Sequence, residues 1–194
     1  MIPILDLWLL VAGYSVIVAF FIIQRTLRRT EGAKSFRGGT YDRGNMLLIG
    51  SATGIGLWLP LIVDVWGIAV LPIDPVEGFV ALAVMVLGVG LRVWAAMTLG
   101  KYYTTTLMMT EGQKVVTTGP YAWVRHPGYL GEIFLWTGFA VLSSNLIAVF
   151  CLPLMFVAVL LYRISSEERM LVKELGDGYV HYQRRTRKLI PFVC

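Results

Sequence analysis

The chain has 194 residues, of which 57% are hydrophobic and 15% charged, and its formal net charge is +5. This composition excludes an ordinary soluble domain and is typical of a polytopic membrane protein, and the length suits one domain over residues 1–194. Two cysteines, Cys151 and Cys194, are too few for a disulfide framework or a cysteine metal site. The basic residues lie between apolar runs, which favours contact with anionic lipid head groups over nucleic-acid binding.

Five apolar runs follow one another along the chain, and each predicts a membrane helix. The first has no positive residue before it and no small-residue cleavage site, so we expect a retained span. Gly50 and Gly54 in the second run have the spacing that lets a neighbouring helix approach closely. The runs are Leu7–Ile23, Met46–Val63, Val76–Val93, the short Tyr129–Leu142, and Leu146–Tyr162.

The last two runs predict a helical hairpin. Ser143–Asn145 has room only for a tight turn, so the two helices should be antiparallel. We expect the fifth helix to continue past the membrane through Arg163–Leu175 and to stop at Gly176. The tail that follows, Asp177–Cys194, is basic and carries three aromatic residues, and it has no predicted element.

The distribution of the 17 basic residues predicts the topology. Six lie in the loop Gln24–Asn45, three in Lys101–Arg125, seven after Tyr162, and Arg92 is the remaining one. The connector Asp64–Glu77 carries only acidic charge. With the N-terminus outside, all the basic segments face the cytoplasm.

The stretch Val116–Gly131 combines turn-forming, aromatic and charged residues beside apolar runs. Pro120 and Pro127 forbid one continuous helix through it, and Arg125 and His126 stand side by side before the second proline. A charged, non-helical segment at a bilayer edge needs protein or a water-filled cavity around it, which predicts a binding site. The alternative is a proline-rich connecting loop.

A second polar group lies where the fifth helix is expected to leave the bilayer. Arg163 and Glu167 are four residues apart and share a helical face, with Glu168 about 100° away. The pair could be an ordinary surface ion pair, or the arginine could hold a carboxylate or phosphate. No His, Cys or Asp lies at ligand spacing from His126, so we expect no metal site. We find no local motif for a serine or cysteine nucleophile.

These residues carry a resemblance to a known family. The pattern, spread over Gln113–Phe192, resembles the isoprenylcysteine carboxyl methyltransferases. The resemblance implies an all-α integral membrane enzyme with about five transmembrane helices, a C-terminal helical extension and a cytoplasmic S-adenosylmethionine pocket. Residues 1–70 would form two N-terminal spans and residues 76–194 the catalytic core. The pattern consists of Thr118-Gly-Pro-Tyr121, Arg125-His-Pro-x-Tyr-x-Gly131, the hydrophobic hairpin, Glu167-Glu168, Leu175-Gly176, Tyr179, Tyr182 and Pro191.

The resemblance also implies roles for individual residues. Arg163 would hold the substrate carboxylate, Glu167 would bind the amino group of the cofactor, and Glu168 would give support only. Arg163 and Glu167 are thus the expected catalytic pair. The remaining cofactor-binding residues would be Gln113, Lys114, Val115 and Val116 at the adenine end, Tyr121 packed on the cofactor, and His126, Pro127, Gly128 and Tyr129 around its ribose and amino-acid portion.

The function implied is carboxyl O-methylation of a prenylated cysteine or a similar lipidated acid. The lipidated small molecule or protein C-terminus would enter from the bilayer, with membrane lipids as neighbours and no nucleic-acid partner. A phospholipid N-methyltransferase is the near alternative, and sterol reductases have a looser similarity. The alternative of another class is a structural or transport membrane protein.

Overall fold

The computed structural model describes residues 4–27, 42 and 44–189. These residues form six α-helices and no named β-strand. Two short 3-10 turns, Gly100–Tyr102 and Gly119–Ala122, lie between the third and fourth helices. The predicted basic loop Gln24–Asn45 is only partly described: its first four residues belong to the first helix, and residues 28–41 and 43 lie outside the described residues. The tail beyond residue 189, including Pro191, also lies outside them. The helices are α1 (Ile4–Leu27), α2 (Asn45–Val65), α3 (Pro75–Leu99), α4 (Pro127–Leu142), α5 (Leu146–Leu175) and α6 (Asp177–Arg185).

Four of these helices, α1, α2, α3 and α5, are long and apolar enough to cross a membrane. The fourth apolar run forms α4, which has 16 residues. It rises about 24 Å and is shorter than the roughly 30 Å hydrocarbon core of a bilayer. The all-helical fold class is therefore confirmed, with four helices that could span a membrane and one shorter helix in place of the fourth predicted span.

The ends of the helices follow local sequence chemistry. Asp74 caps α3, where its carboxylate accepts from the Val76 amide at 2.8 Å. The Asn145 side chain accepts from the amides of Ile147 and Ala148 and starts α5 directly after the turn. Gly176 takes a left-handed φ of 58° and ends α5 at the predicted residue. The hairpin of α4 and α5 and the extension of α5 are thus confirmed.

The closest helix contact is between α3 and α4, and it passes through glycines that the sequence analysis did not select. A Cβ on Gly88 would collide with the Gly131 carbonyl, and a Cβ on Gly138 would lie 2.6 Å from the Ala81 carbonyl. In contrast, a Cβ on Gly50 or Gly54 would meet no atom within 4 Å among the described residues. The expectation of close packing at those two glycines was wrong, because spacing shows where a helix can approach but not which face has a neighbour.

The core lies between α4 and α5, with α1, α2 and α3 packed around it. Trp136 stacks on Phe156 with ring centroids 4.4 Å apart. The basic tail, for which the sequence predicted no element, begins with α6. Its Tyr179 and Tyr182, three residues apart on one face, pack against Leu107 and Met170 beside the end of α5. This second cluster places the tail against the proposed binding segment.

Candidate active site

The stretch Val116–Gly131 is held in place by the C-terminal segment. The Arg125 amide donates to the Arg187 carbonyl at 2.7 Å, and the His126 amide donates to the Lys188 carbonyl at 3.1 Å. Val124 and Arg187 form a parallel bridge. Pro127 then opens α4, a position that requires no amide donor. The part of the stretch before α4 is therefore packed on both sides, between α3 and the chain after α6.

One pocket lies beside this stretch, and ten of the eleven site residues expected from the sequence line it. Pro127 is the exception, because it is buried in the first turn of α4 and does not reach the pocket. Glu168 is also outside the lining. The ten are Gln113, Lys114, Val115, Val116, Tyr121, His126, Gly128, Tyr129, Arg163 and Glu167.

A chain of three side chains crosses the pocket. Nε of Arg163 donates to the Tyr129 hydroxyl at 2.7 Å, and this hydroxyl donates to Oε2 of Glu167 at 2.6 Å. In the ion-pair alternative Arg163 and Glu167 would pair directly, but the tyrosine lies between them. The carboxylate and the guanidinium are thus held apart while both face the same space.

Three arginines line the pocket, and two of them, Arg92 and Arg163, differ in their hydrogen-bond partners. Arg92 donates from Nη1 to the Gly128 carbonyl and to Glu132, both at 3.1 Å. Arg163 is 4% exposed and donates from Nη2 to the Thr105 carbonyl at 2.5 Å. Its Nη1 is buried and has no partner among the described residues. A buried N–H group without an acceptor is costly, so an acceptor bound within reach of Nη1 would be stabilised there.

Glu168 lies on the other side of α5 and holds the binding stretch to the helix. Its Oε1 accepts from Nε of Arg125 at 2.7 Å and lies 3.3 Å from Nε2 of His126. Arg125 also donates to the carbonyls of Gln183 and Thr186 beyond α5. The geometry therefore matches the supporting role expected for Glu168.

Aromatic rings form another wall of the pocket. The Tyr182 hydroxyl donates to the Tyr121 carbonyl at 2.7 Å, which joins α6 to the binding stretch. Burial raises the pKa of Tyr182 to about 12. Burial and the nearby Glu167 carboxylate raise the pKa of Tyr121 well above its usual value. Both rings are therefore neutral at physiological pH and present flat, uncharged faces.

Several lining residues were missed from the sequence. Arg92 was noted only as a basic residue, although an arginine within an apolar run is itself an indication of a site. The segment from Tyr102 to Met108 lines the pocket but carries no motif. Met170 and Leu171 follow Glu167 by one helical turn, so the 3.6-residue period could have found them. Across the described part of the chain, no group of three or more His, Cys, Asp or Glu residues could hold a metal ion.

Comparison with known proteins shows which fold and which family this chain resembles. Residues 80–173 match the model of the isoprenylcysteine carboxyl methyltransferase family, and this region contains most of the pocket. The chain is similar to this family over these residues. Two curated relatives in the family are named protein-S-isoprenylcysteine O-methyltransferase. That of Schizosaccharomyces pombe is 32% identical over 110 residues, and that of Tribolium castaneum is 33% identical over 119 residues.

The match to these family members covers only part of each protein. It spans 49% of this chain and 46% of the S. pombe protein, and 59% of this chain and 41% of the T. castaneum protein. The chain therefore matches about half of the length of these curated relatives. A solved structure of a eukaryotic intramembrane Ras methyltransferase, an isoprenylcysteine carboxyl methyltransferase, superposes with a TM-score of 0.68. It covers 100% of this chain and 70% of its own, at 22% identity, and so supports the fold.

Proposed function

We propose that this protein is an S-adenosylmethionine-dependent carboxyl O-methyltransferase. Its substrate would be the α-carboxylate of a prenylated cysteine or a similar lipidated acid. The observation that carries the proposal is the buried Nη1 of Arg163, which has no partner among the described residues and belongs to a pocket residue. A guanidinium in a water-poor site binds a carboxylate through parallel N–H donors.

The residues of the pocket fit the methyl donor. Glu167 offers a carboxylate for an amino group, and the neutral Tyr121 offers a flat face for a heterocycle or ribose. The Gln113 side-chain oxygen accepts from the Thr110 amide at 3.0 Å, so this residue would contact the adenine end through its backbone. When bound, the cofactor would supply an activated methyl group on a sulfonium sulfur.

The residues of the chain would act by positioning. A carboxylate is already ionised at neutral pH, so the acceptor oxygen needs no general base. Arg163 would orient that oxygen, while Tyr129 and the Thr105 carbonyl fix the guanidinium. Proximity and orientation can supply up to roughly 7–11 kcal/mol of a barrier, so alignment in a dry site is a sufficient source of catalysis.

The location of the pocket suits substrates from two phases. It lies near the predicted cytoplasmic ends of α3 and α5. The helical turns before these ends are apolar and suit the bilayer interior. The lipid tail would enter between the helices from the bilayer, and the polar cofactor would enter from the cytoplasm. This placement has the N-terminus outside and the C-terminus cytoplasmic, as the basic residues predict.

A phospholipid N-methyltransferase is the second candidate. An amine acceptor must first lose a proton, which requires a general base. In this pocket the Glu167 carboxylate accepts a hydrogen bond from Tyr129, and Nη1 of the cationic Arg163 has no partner among the described residues. A cation attracts an anionic acceptor and repels an ammonium, so the pocket favours the carboxylate.

The test is transfer of a labelled methyl group from S-adenosylmethionine to N-acetyl-S-farnesylcysteine and, separately, to phosphatidylethanolamine. We expect a base-labile methyl ester on the farnesylcysteine that disappears in Arg163→Ala. Arg169→Ala is the matched control, because Arg169 is exposed on α5 and outside the pocket lining. Label found only in the phospholipid would establish the N-methyltransferase instead. Full activity of Arg163→Ala would place the carboxylate elsewhere.

A further inference from the structure

The C-terminal end of α1 reaches the pocket wall through one polar side chain, Gln24. This residue is 7% exposed although the rest of its helix face is apolar. It lies outside residues 80–173, which match the family model, and no sequence motif includes it. A buried amide in a membrane helix has to find partners within the protein, since lipid offers none.

Gln24 has two partners that belong to different walls of the pocket. Its amide lies between the Tyr103 hydroxyl, at 2.5 Å, and the guanidinium of Arg92. In the orientation that satisfies both, the amide oxygen accepts from Nε and Nη2 of Arg92 and the amide nitrogen donates to Tyr103. The two partners lie 68 and 79 residues along the chain from Gln24.

The first partner connects Gln24 to the start of α4. Nη1 of Arg92 donates to the Gly128 carbonyl and pairs with Glu132, so with Gln24 in place every nitrogen of this guanidinium has an acceptor. Gly128 precedes Tyr129, whose hydroxyl joins the two charged groups of the pocket. The Arg92 side chain thus fixes the backbone that carries this tyrosine.

The second partner connects Gln24 to the segment that holds Arg163. Tyr103 precedes Thr104, Thr105 and Thr106, which line the pocket. The Thr105 carbonyl accepts from Nη2 of Arg163, and the Thr104 hydroxyl donates to the Thr106 carbonyl. Anchoring Tyr103 therefore limits the movement of the carbonyl that orients the arginine.

We infer that Gln24 is a positioning residue of the active site. It fixes the start of α4, which carries Tyr129, relative to the segment that carries the Thr105 carbonyl. The helix α1 thus contributes to the geometry of the site through Gln24, in addition to packing in the core through Leu9, Ile17 and Phe20. The catalytic consequence rests on the proposed function. The structural consequence, a fixed segment 102–108, does not depend on it.

The test compares Gln24→Leu with Gln24→Glu in the full-length detergent-solubilised protein. Leucine fills similar space but has no polar atom, whereas a glutamate can accept from both Arg92 and Tyr103. Thr26→Ala is the matched control on α1, because the exposed Thr26 hydroxyl donates to the Ile23 carbonyl of its own helix. The readouts are kcat/KM for N-acetyl-S-farnesylcysteine and amide hydrogen exchange of residues 102–108.

Loss of hydrogen bonds to charged groups predicts a kcat/KM that is about 10- to 100-fold lower for Gln24→Leu. Exchange of residues 102–108 should be faster in the same variant. We expect Gln24→Glu to stay within about threefold of the wild type in both readouts, and Thr26→Ala to be unchanged. A Tyr103→Phe change added to Gln24→Leu should cost little more, since the two act through one contact.

Unchanged exchange and unchanged kcat/KM in Gln24→Leu would overturn the inference. So would an equal loss in Gln24→Glu, because packing and not hydrogen bonding would then be the cause. If the wild type transfers no methyl group, the proposed function fails, yet faster exchange confined to Gln24→Leu would still support the positioning role.

Discussion

Removing one oxygen atom, in Tyr129→Phe, tests the arrangement of the pocket most finely. This hydroxyl accepts from Arg163 at 2.7 Å and donates to Glu167 at 2.6 Å. Hydrogen bonds to charged groups contribute about 1.5–3 kcal/mol each, and their loss leaves buried charges with fewer partners. Arg163 and Glu167 are four residues apart on α5, so they can approach each other and offset part of the loss.

We therefore expect a net loss of about 1.5–3 kcal/mol, which is roughly a 10- to 100-fold decrease in kcat/KM for N-acetyl-S-farnesylcysteine. The assay is methyl transfer under saturating S-adenosylmethionine, with S-adenosylhomocysteine affinity measured beside it. Tyr162→Phe is the control, because Tyr162 is exposed on α5 and does not line the pocket. A Tyr129→Phe protein within twofold of the wild type would refute the bridging role.

Three further predictions follow from packing and charge. Gly88→Ala should lower the melting temperature, since its Cβ would collide with the Gly131 carbonyl, while Gly90→Ala has open space and should not. Glu168→Gln should weaken the attachment of the C-terminal segment, which limited proteolysis after α5 would detect as faster cleavage; a wild-type rate would remove Glu168 from that role. The pKa of Tyr182 is about 12 in the folded protein, above the ordinary value of 10.0 expected in the unfolded chain. As the pH rises, the unfolded state therefore loses the phenolic proton first, so the free energy of unfolding should fall between pH 10 and 12. Tyr182→Phe should make that fall shallower in a thermal melt, and an unchanged slope would contradict it.

Elements with a local cause were predictable from the sequence. The α5 boundaries follow from an asparagine cap at Asn145 and a glycine stop at Gly176. Hydropathy predicted the apolar helices, through signals carried by neighbours in sequence. The topology predicted from the basic residues placed the binding stretch on the same side as Arg163 and Glu167, and the family resemblance supplied the individual cofactor contacts.

Features that depend on distant partners were not predictable. Nothing near Gln24 indicates that it meets Tyr103, 79 residues away. The α3–α4 contact uses Gly88 and Gly131, whose role depends on two helices facing each other. The amphipathic α6 is short and polar, so its buried tyrosines are recognisable only once the second apolar cluster is known.

Equilibrium binding of S-adenosylhomocysteine to the wild type, Glu167→Ala and Arg163→Ala tests the central claim most directly. The claim is that one pocket holds the cofactor through Glu167 and the acceptor carboxylate through Arg163. We predict binding to the wild type, clear loss in Glu167→Ala, and nearly wild-type affinity in Arg163→Ala together with loss of methyl transfer. Absence of binding to the wild type, or equal affinity in Glu167→Ala, would contradict the account.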